Sequence, residues 1–307
     1  NCTMALNTVI FGLLSEGDHV LISSMEHNSV TRPLESLKDK GVTYSTFDYS
    51  YDDNETVDNV RNLIKPETKL VICTHASNVF GFRFPIERIC ALCHAYGILF
   101  CVDSAQSAGV FDIDVGTNQY DFVCMSGHKS LYGPMGTGVL ILNNRNLKPL
   151  LYGGTGTESV KKSQPEGLPE KFESGTQNMN GISGLKAGVD FVKNRGIKNI
   201  YNHEYKLAKR LFNGLANNRK VITYNKSFDY GKVAPVVSFN IDGVYSEDLV
   251  AKLNKYGIMT RGGLHCSPLA HTTMNTIENG TVRVVPGAFN TINDINYLLN
   301  VIRKLTN

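Results

Sequence analysis

The sequence predicts an α/β fold, with a large domain over residues 1–192 and a smaller α+β domain over residues 193–307. The large domain should hold a mostly parallel central sheet flanked by helices. Three observations predict this. Short, continuously apolar runs alternate with amphipathic segments through the first two-thirds of the chain, as parallel strands covered on both faces require. Three of those runs end in polar punctuation, CTHASN, CVDSAQS and CMSGHKS, which places chemistry along the strand ends where such sheets bind ligands. Beyond about residue 193 the texture changes to one long helical pattern followed by strands and helices in alternation.

In order, the chain opens NCTMALNTVIFGLL, already within an amphipathic helix and without an initiator methionine, so the numbering is expected to begin partway into a fold. HVLIS reads as a strand, SVTRPLESLKDKG as a helix and VTYSTF as the next strand. The pairs ETVDNVRNLI with KLVICTH, and PIERICALCHAYG with ILFCVD, repeat the helix–strand alternation. DFVCM and TGVLILN close the sheet. Residues 150–185 are rich in glycine and polar side chains and should wrap the site or a partner subunit. The second domain holds a helix through IKNIYNHEYKLAKRLFNGLAN, strands at VVSFNI and TVRVV, and helices at SEDLVAKLNKYG and INDINYLLNVIRKL.

Hydrophobic residues at 42% and charged residues at 19% exclude a disordered or fibrous chain. The net charge of +3 is spread along the sequence, with no clustered basic face for nucleic acid. No apolar run approaches the ~20 residues of a membrane helix, and no signal peptide is expected. Seven cysteines, three of them inside apolar strands, suit a reducing cytoplasm better than a disulfide framework. Cys90 and Cys93 share a helix face with Ile86 and Ile89, so that C-x-x-C reads as packing.

DFVCM runs directly into SGHK, and a lysine at the end of a core strand can lose its proton and act as a nucleophile. His75, Asn78, Asp103, Gln106, Ser126, His128 and Lys129 should share one rim. A lysine amine condenses with aldehydes, of which pyridoxal phosphate is the common biological case. That cofactor needs a carboxylate at its ring nitrogen, and Asp103 is such an acid, though alone it would serve equally as a helix N-cap. Its phosphate needs helix-start amides and hydroxyls, offered by Asn1-Cys2-Thr3 beside Ser126 and His128. The glycine groups GGTGT and GPMGTG match neither a Walker nor a dinucleotide fingerprint.

VDSAQSAG followed by SGHKSLYGPMGTGVL resembles the fold-type-I pyridoxal-phosphate enzymes of the class V aminotransferase group. Within it the likeness is to cysteine desulfurases and selenocysteine lyases. It is carried further by EHNSV (26–30), HASNVFG (75–81), ESGTQN (173–178), RGGLHCSP (261–268) and VRVVPGAFNT (282–291), in the family's order. The resemblance implies that Lys129 binds the cofactor covalently, Asp103 pairs with the ring nitrogen, Gln106 bonds the phenolic oxygen and His27 stacks on the ring and assists proton transfer. It implies phosphate contacts from Thr3, Ser126 and His128 at the turn that Cys2 shares, and from Thr176 of a second subunit, hence a homodimer. Asn78, which would also contact the cofactor, and Arg283, with Arg261 nearby, would take the substrate carboxylate.

Cys266 separates desulfurases from ordinary transaminases: in RGGLHCSP it would be exposed, and His265 would favour its thiolate. One cysteine with His265 and His271 lacks the ligand set of a zinc site. The chain departs from the family's usual pattern in three places. Asn1-Cys2-Thr3-Met4 stands for Gly-Thr-Thr-Glu, Leu264 for a frequent histidine, and Gln177 for proline. The family's N-terminal segment, which helps cover the active site, is expected to be absent. The implied reaction converts L-cysteine to L-alanine, leaving a persulfide on Cys266 for a small thiol or a sulfur-acceptor protein, as iron–sulfur cluster assembly needs. The alternatives are a class V aminotransferase or another pyridoxal-phosphate lyase with Cys266 incidental, and a non-catalytic binding protein.

Overall fold

The computed structural model describes residues 1–144 and 146–306. Six strands form the first sheet: β1 (His19–Ser23), β2 (Thr43–Phe47), β3 (Thr68–Thr74), β4 (Leu99–Asp103), β5 (Phe122–Ser126) and β6 (Gly138–Leu142). Their order is β2-β1-β3-β4-β5-β6. Neighbours among the first five run parallel, and β6 returns antiparallel to β5, pairing Gly138 with Ser126. No helix crosses between β5 and β6. The loop that joins them carries Lys129, so the one antiparallel return in this sheet presents that residue.

Alternation along each strand splits the apolar runs between two cores. Val20, Ile22, Leu70 and Ile72 face the helices α1 (Cys2–Leu13) and α2 (Asn28–Leu37). Leu21, Val71, Phe100 and Val102 face the opposite core, which Val57 and Val60 of α3 (Asp53–Arg61) and Ile86 and Ile89 of α4 (Ile86–Ala95) complete. Cys90 and Cys93 are buried in that second core. A short helix α5 (Val115–Asn118), absent from the sequence reading, caps the approach to β5, with Asp114 accepting from the amides of Gly116 and Thr117.

Helix α6 (Met179–Arg195) begins inside the stretch expected to be loop. Gly196, at φ +82°, ends α6 and starts α7 (Ile197–Ala216), a backbone angle that costs glycine little. The second sheet, β7 (Val221–Thr223), β8 (Val237–Ile241) and β9 (Val282–Val284), is antiparallel in the order β7-β8-β9. Its core packs Leu207, Leu211 and Leu215 of α7 against Leu249 of α8 (Ser246–Asn254) and Leu298 and Ile302 of α10 (Ile292–Thr306). A six-residue helix, α9 (Pro268–Thr273), follows the Cys266 loop. We propose the two sheets as two domains dividing near residues 192 and 193, in the last turn of α6 and close to Gly196. Among the described residues no helix is long and apolar enough to cross a membrane.

Candidate active site

The chain crosses from β2 back over β1 to β3, so the sheet order reverses between β1 and β3, and a crevice opens at the strand ends there. A cavity of about 520 Å³ occupies this position. His27 reaches it from the turn after β1, Asn78 from beyond β3, Asp103 from the last position of β4, and Ser126, His128 and Lys129 from the end of β5. Gln106 lines it from the loop after β4, Cys2 and Thr3 from the start of α1, and Arg261, Cys266 and Arg283 from the second half of the chain. Two predicted positions lie elsewhere. Thr176 is exposed on the 150–178 segment and does not border this chain's cavity. His75, expected on the rim, is buried behind it, where it accepts from Arg83 Nε (3.1 Å) and packs on Phe111.

Lys129 is half-buried, and its amine makes no hydrogen bond or ion pair among the described residues. Burial lowers its pKa from the usual lysine value, while the Asp103 charge pulls it back up. The Lys129 loop is held close to the loop after β4. At Gly109 (φ +84°) any Cβ would run into the Ser130 carbonyl, so only glycine allows the approach. Asp103 Oδ1 accepts from the Ala105 amide (2.9 Å) and from Cys2 Sγ (3.4 Å), leaving Oδ2 without a hydrogen bond among the described residues. The Cys2 thiol therefore buttresses Asp103 instead of serving the phosphate turn, and burial raises its pKa, keeping it protonated.

His27 caps α2: its Nδ1 accepts from the Ser29 amide (3.0 Å) and lies 2.8 Å from Ser29 Oγ, which is 2.7 Å from Thr3 Oγ1. An accepting Nδ1 places the ring proton on Nε2. Burial lowers the His27 pKa, so the neutral imidazole is favoured. Ser29 was missed in the sequence; its signal was its place two residues after His27, where a helix cap bonds. His128 Nδ1 lies 3.1 Å from Ser126 Oγ.

Below the cavity, Glu26 is fully buried. Its Oε1 accepts from Ser23 Oγ and from the Thr74 amide, both at 2.6 Å, and Oε2 has no partner. Burial, followed by the Asp103 charge, pushes its pKa up to about 8 from an ordinary 4.5. Between those values the folded protein holds a proton that the unfolded chain releases, so stability is highest below the lower value and falls as pH rises through the window. A Glu26→Gln variant lacks this loss, which amounts to as much as about 1.4 kcal/mol per pH unit. Denaturant unfolding should show the variant gaining on the parent between about pH 5 and about pH 8. An unchanged difference between the two would show that Glu26 is charged throughout.

Cys266 is exposed, and both it (φ +59°) and His265 (φ +52°) adopt left-handed backbone angles. Two such residues in succession, neither of them glycine, need outside support. Asn78 Nδ2 donates to the His265 carbonyl (2.9 Å), Ser267 Oγ donates to Asn78 Oδ1 (2.7 Å), and the Asn28 amide donates to the Cys266 carbonyl (2.8 Å). His265 turns away from the thiol: its Nε2 lies 2.9 Å from the Thr281 carbonyl, and burial lowers its pKa to about 3. The expectation that His265 activates Cys266 therefore fails, because a buried neutral ring supplies no charge. The cation beside the sulfur is Arg261, with Nη2 at 3.9 Å from Sγ. Cys266 also borders an outer groove of about 420 Å³ beside α1 and α2, shared with Asn28 and Arg32. Arg283 Nη1 donates to the Asn78 carbonyl (2.8 Å). Burial lowers its pKa to about 10, which leaves it charged near neutrality.

The profile of the Aminotransferase class-V family matches residues 1–298. A probable cysteine desulfurase from Pyrococcus abyssi is 34% identical, over 99% of this chain and 77% of its own length. Among solved structures, the apo cysteine desulfurase from Thermococcus onnurineus NA1 is 31% identical with a TM-score of 0.89, covering all of this chain and 78% of that one. The cysteine desulfurase CsdA from Escherichia coli, in an S-sulfonic acid form, is 28% identical, also with a TM-score of 0.89, over 99% of this chain and 76% of its own. A sheet with this strand order, a lysine after its fifth strand and a family match over nearly the whole length lead to one conclusion: the chain belongs to the class-V aminotransferase family.

Proposed function

We propose that this protein is a pyridoxal-phosphate-dependent cysteine desulfurase that converts L-cysteine to L-alanine and carries the released sulfur as a persulfide on Cys266. One observation carries the reading: a single cavity joins an unpartnered lysine amine, a buried carboxylate with a free oxygen, and an exposed cysteine. That donor set fits pyridoxal phosphate. Lys129 would hold it covalently, Asp103 Oδ2 would meet the ring nitrogen, Gln106 the phenolic oxygen and His27 a ring face. The amides opening α1, with Thr3, Ser126 and His128, would take the phosphate. The bound cofactor supplies an aldehyde that links to an amine and a sink for the electrons released at the α-carbon.

The protein's own groups divide the remaining work. Arg283, with Arg261 across an isolated β-bridge from it, takes the substrate carboxylate. The Lys129 amine accepts the α-proton, a task its lowered pKa favours. The Cys266 sulfur then attacks the substrate's sulfur. The new S–S bond forms as the C–S bond breaks, the β-carbon gains a proton, the α-carbon regains the one it lost, and alanine leaves. Because Cys266 borders both the cavity and the outer groove, a thiol on an acceptor protein or small molecule can meet the persulfide from outside. A homodimer is part of this reading. Along the 151–182 stretch large apolar side chains are exposed at Leu151, Tyr152, Val160, Met179 and Ile182; a second copy would cover them, and Thr176 would then reach the partner's phosphate.

The test is turnover of L-cysteine by the loaded protein in the presence of a reductant. Equal amounts of alanine and sulfide support the reading; pyruvate or another oxo acid as the carbon product refutes it. Arg283→Ala is expected to lower kcat/KM for cysteine by roughly ten- to a hundredfold, the loss of one charge-assisted hydrogen bond, while retaining the cofactor. An unchanged kcat/KM removes Arg283 from the carboxylate site.

A further inference from the structure

We infer that Tyr132 is a positioning residue for Lys129: with Glu204 it ties the loop that carries the amine to the segment that follows Arg283, and so fixes the separation of those two groups. The inference rests on the desulfurase reading above and deepens it. Tyr132 lies three residues after Lys129, and its amide donates to the Lys129 carbonyl (2.9 Å). It sits at φ +53°, an angle that a bulky side chain holds only where its surroundings impose it. Here they do. At Gly188 of α6 a Cβ would stand 2.2 Å from the Leu131 carbonyl oxygen, so the helix backbone lies directly on the loop. The Tyr132 ring packs edge-on against Phe191 of α6 and against Phe289, with centroids 4.9 and 5.9 Å apart. Its hydroxyl donates to Glu204 Oε1 on α7 (3.1 Å) and accepts from the Ala288 amide (3.3 Å). Glu204 is buried, and this hydroxyl is the one hydrogen-bond partner of its carboxyl among the described residues.

Tyr132, Glu204, Lys129 and Arg283 all border one chamber of about 300 Å³ behind the active-site cavity. The two ends of the tie are unequally supported. Arg283 has other anchors: Nη1 donates to the Asn78 carbonyl, and its backbone pairs with Ser238 of β8 and bridges to Arg261. The Lys129 amine has no anchor of its own among the described residues. Loss of the tie should therefore displace Lys129 and leave Arg283 in place.

The experiment uses the full chain loaded with pyridoxal phosphate and compares Tyr132→Phe, Glu204→Leu and Glu204→Gln with the parent. Phenylalanine keeps the ring packing without the hydroxyl, and glutamine keeps an acceptor oxygen. In Tyr132→Phe and Glu204→Leu, solvent-deuterium exchange at the α-carbon of L-cysteine should slow by roughly ten- to a hundredfold, as misplacement of a reacting atom by about 1 Å does, while KM stays within about twofold. Glu204→Gln should keep exchange within about threefold of the parent, a rescue that packing alone would not give. Backbone amide exchange over residues 127–133 should quicken in Tyr132→Phe. That readout needs no turnover, so it decides the tie even if the desulfurase reading fails. α-Exchange at the parent rate in Tyr132→Phe, or a raised KM in its place, would overturn the inference. Unchanged amide exchange over the loop, or a Glu204→Gln protein as slow as Glu204→Leu, would overturn it equally.

Discussion

A Lys129→Ala protein is expected to lose turnover of L-cysteine by at least roughly a thousandfold and to hold no borohydride-fixable pyridoxal phosphate. Two functions fall on one nitrogen. The amine that would hold the cofactor also moves the α-proton, and removing a positioned proton-transfer group alone costs about 10²–10⁴ in rate. The site supplies no replacement. His27 has its Nδ1 committed to Ser29, and His128 pairs with Ser126. Folding should be unaffected, because the Lys129 amine makes no hydrogen bond or ion pair among the described residues, and its carbonyl bond to the Tyr132 amide is kept by alanine. A variant that kept a borohydride-fixed cofactor on another residue would show that the lysine is misassigned.

Cys266→Ser should divide the reaction in two. Exchange of the substrate's α-proton with solvent deuterium depends on Lys129, Asp103 and Arg283 and should continue at close to the parent rate. Release of alanine and sulfide should fall by about a hundredfold or more. Attack on a sulfur atom needs a soft, polarisable nucleophile, and a serine hydroxyl is neither soft nor ionised near neutral pH. The exposed position of Cys266 lets the substitution proceed without a buried cavity, so stability should change little. Alanine released by the variant at the parent rate would leave Cys266 incidental and remove the persulfide step; an oxo acid in place of alanine would favour a lyase or aminotransferase.

The parallel sheet was legible because its central strands are apolar on both faces, and β1, buried at every position, is the clearest case. Weakly patterned elements were not. β7 is three residues long, α5 four, and α9 follows a cysteine loop whose glycines read as coil. The start of α6 was hidden because its first turn, MNGIS, carries a glycine and little periodicity. In the site, residue types with one chemical use, Lys129 and Asp103, could be read from their places at strand ends. Partnerships could not. Nothing in the sequence shows that the Cys2 thiol turns to Asp103, that His265 spends its ring on the Thr281 carbonyl, or that Asn78 grips the residues either side of Cys266. Those contacts join positions 101, 16, 187 and 189 residues apart, and only the folded chain brings them together.

The central claim is that sulfur leaves cysteine onto Cys266, and a single turnover with sulfur-labelled L-cysteine tests it most directly. The loaded protein would be quenched without reductant, digested, and its peptides examined by mass spectrometry. The account predicts that the peptide containing Cys266 gains the mass of one sulfur atom, carries the label, and loses it on treatment with a thiol, with an equal amount of alanine formed. Alanine formed with the label free in solution, or bound at any of the six other cysteines, would contradict it.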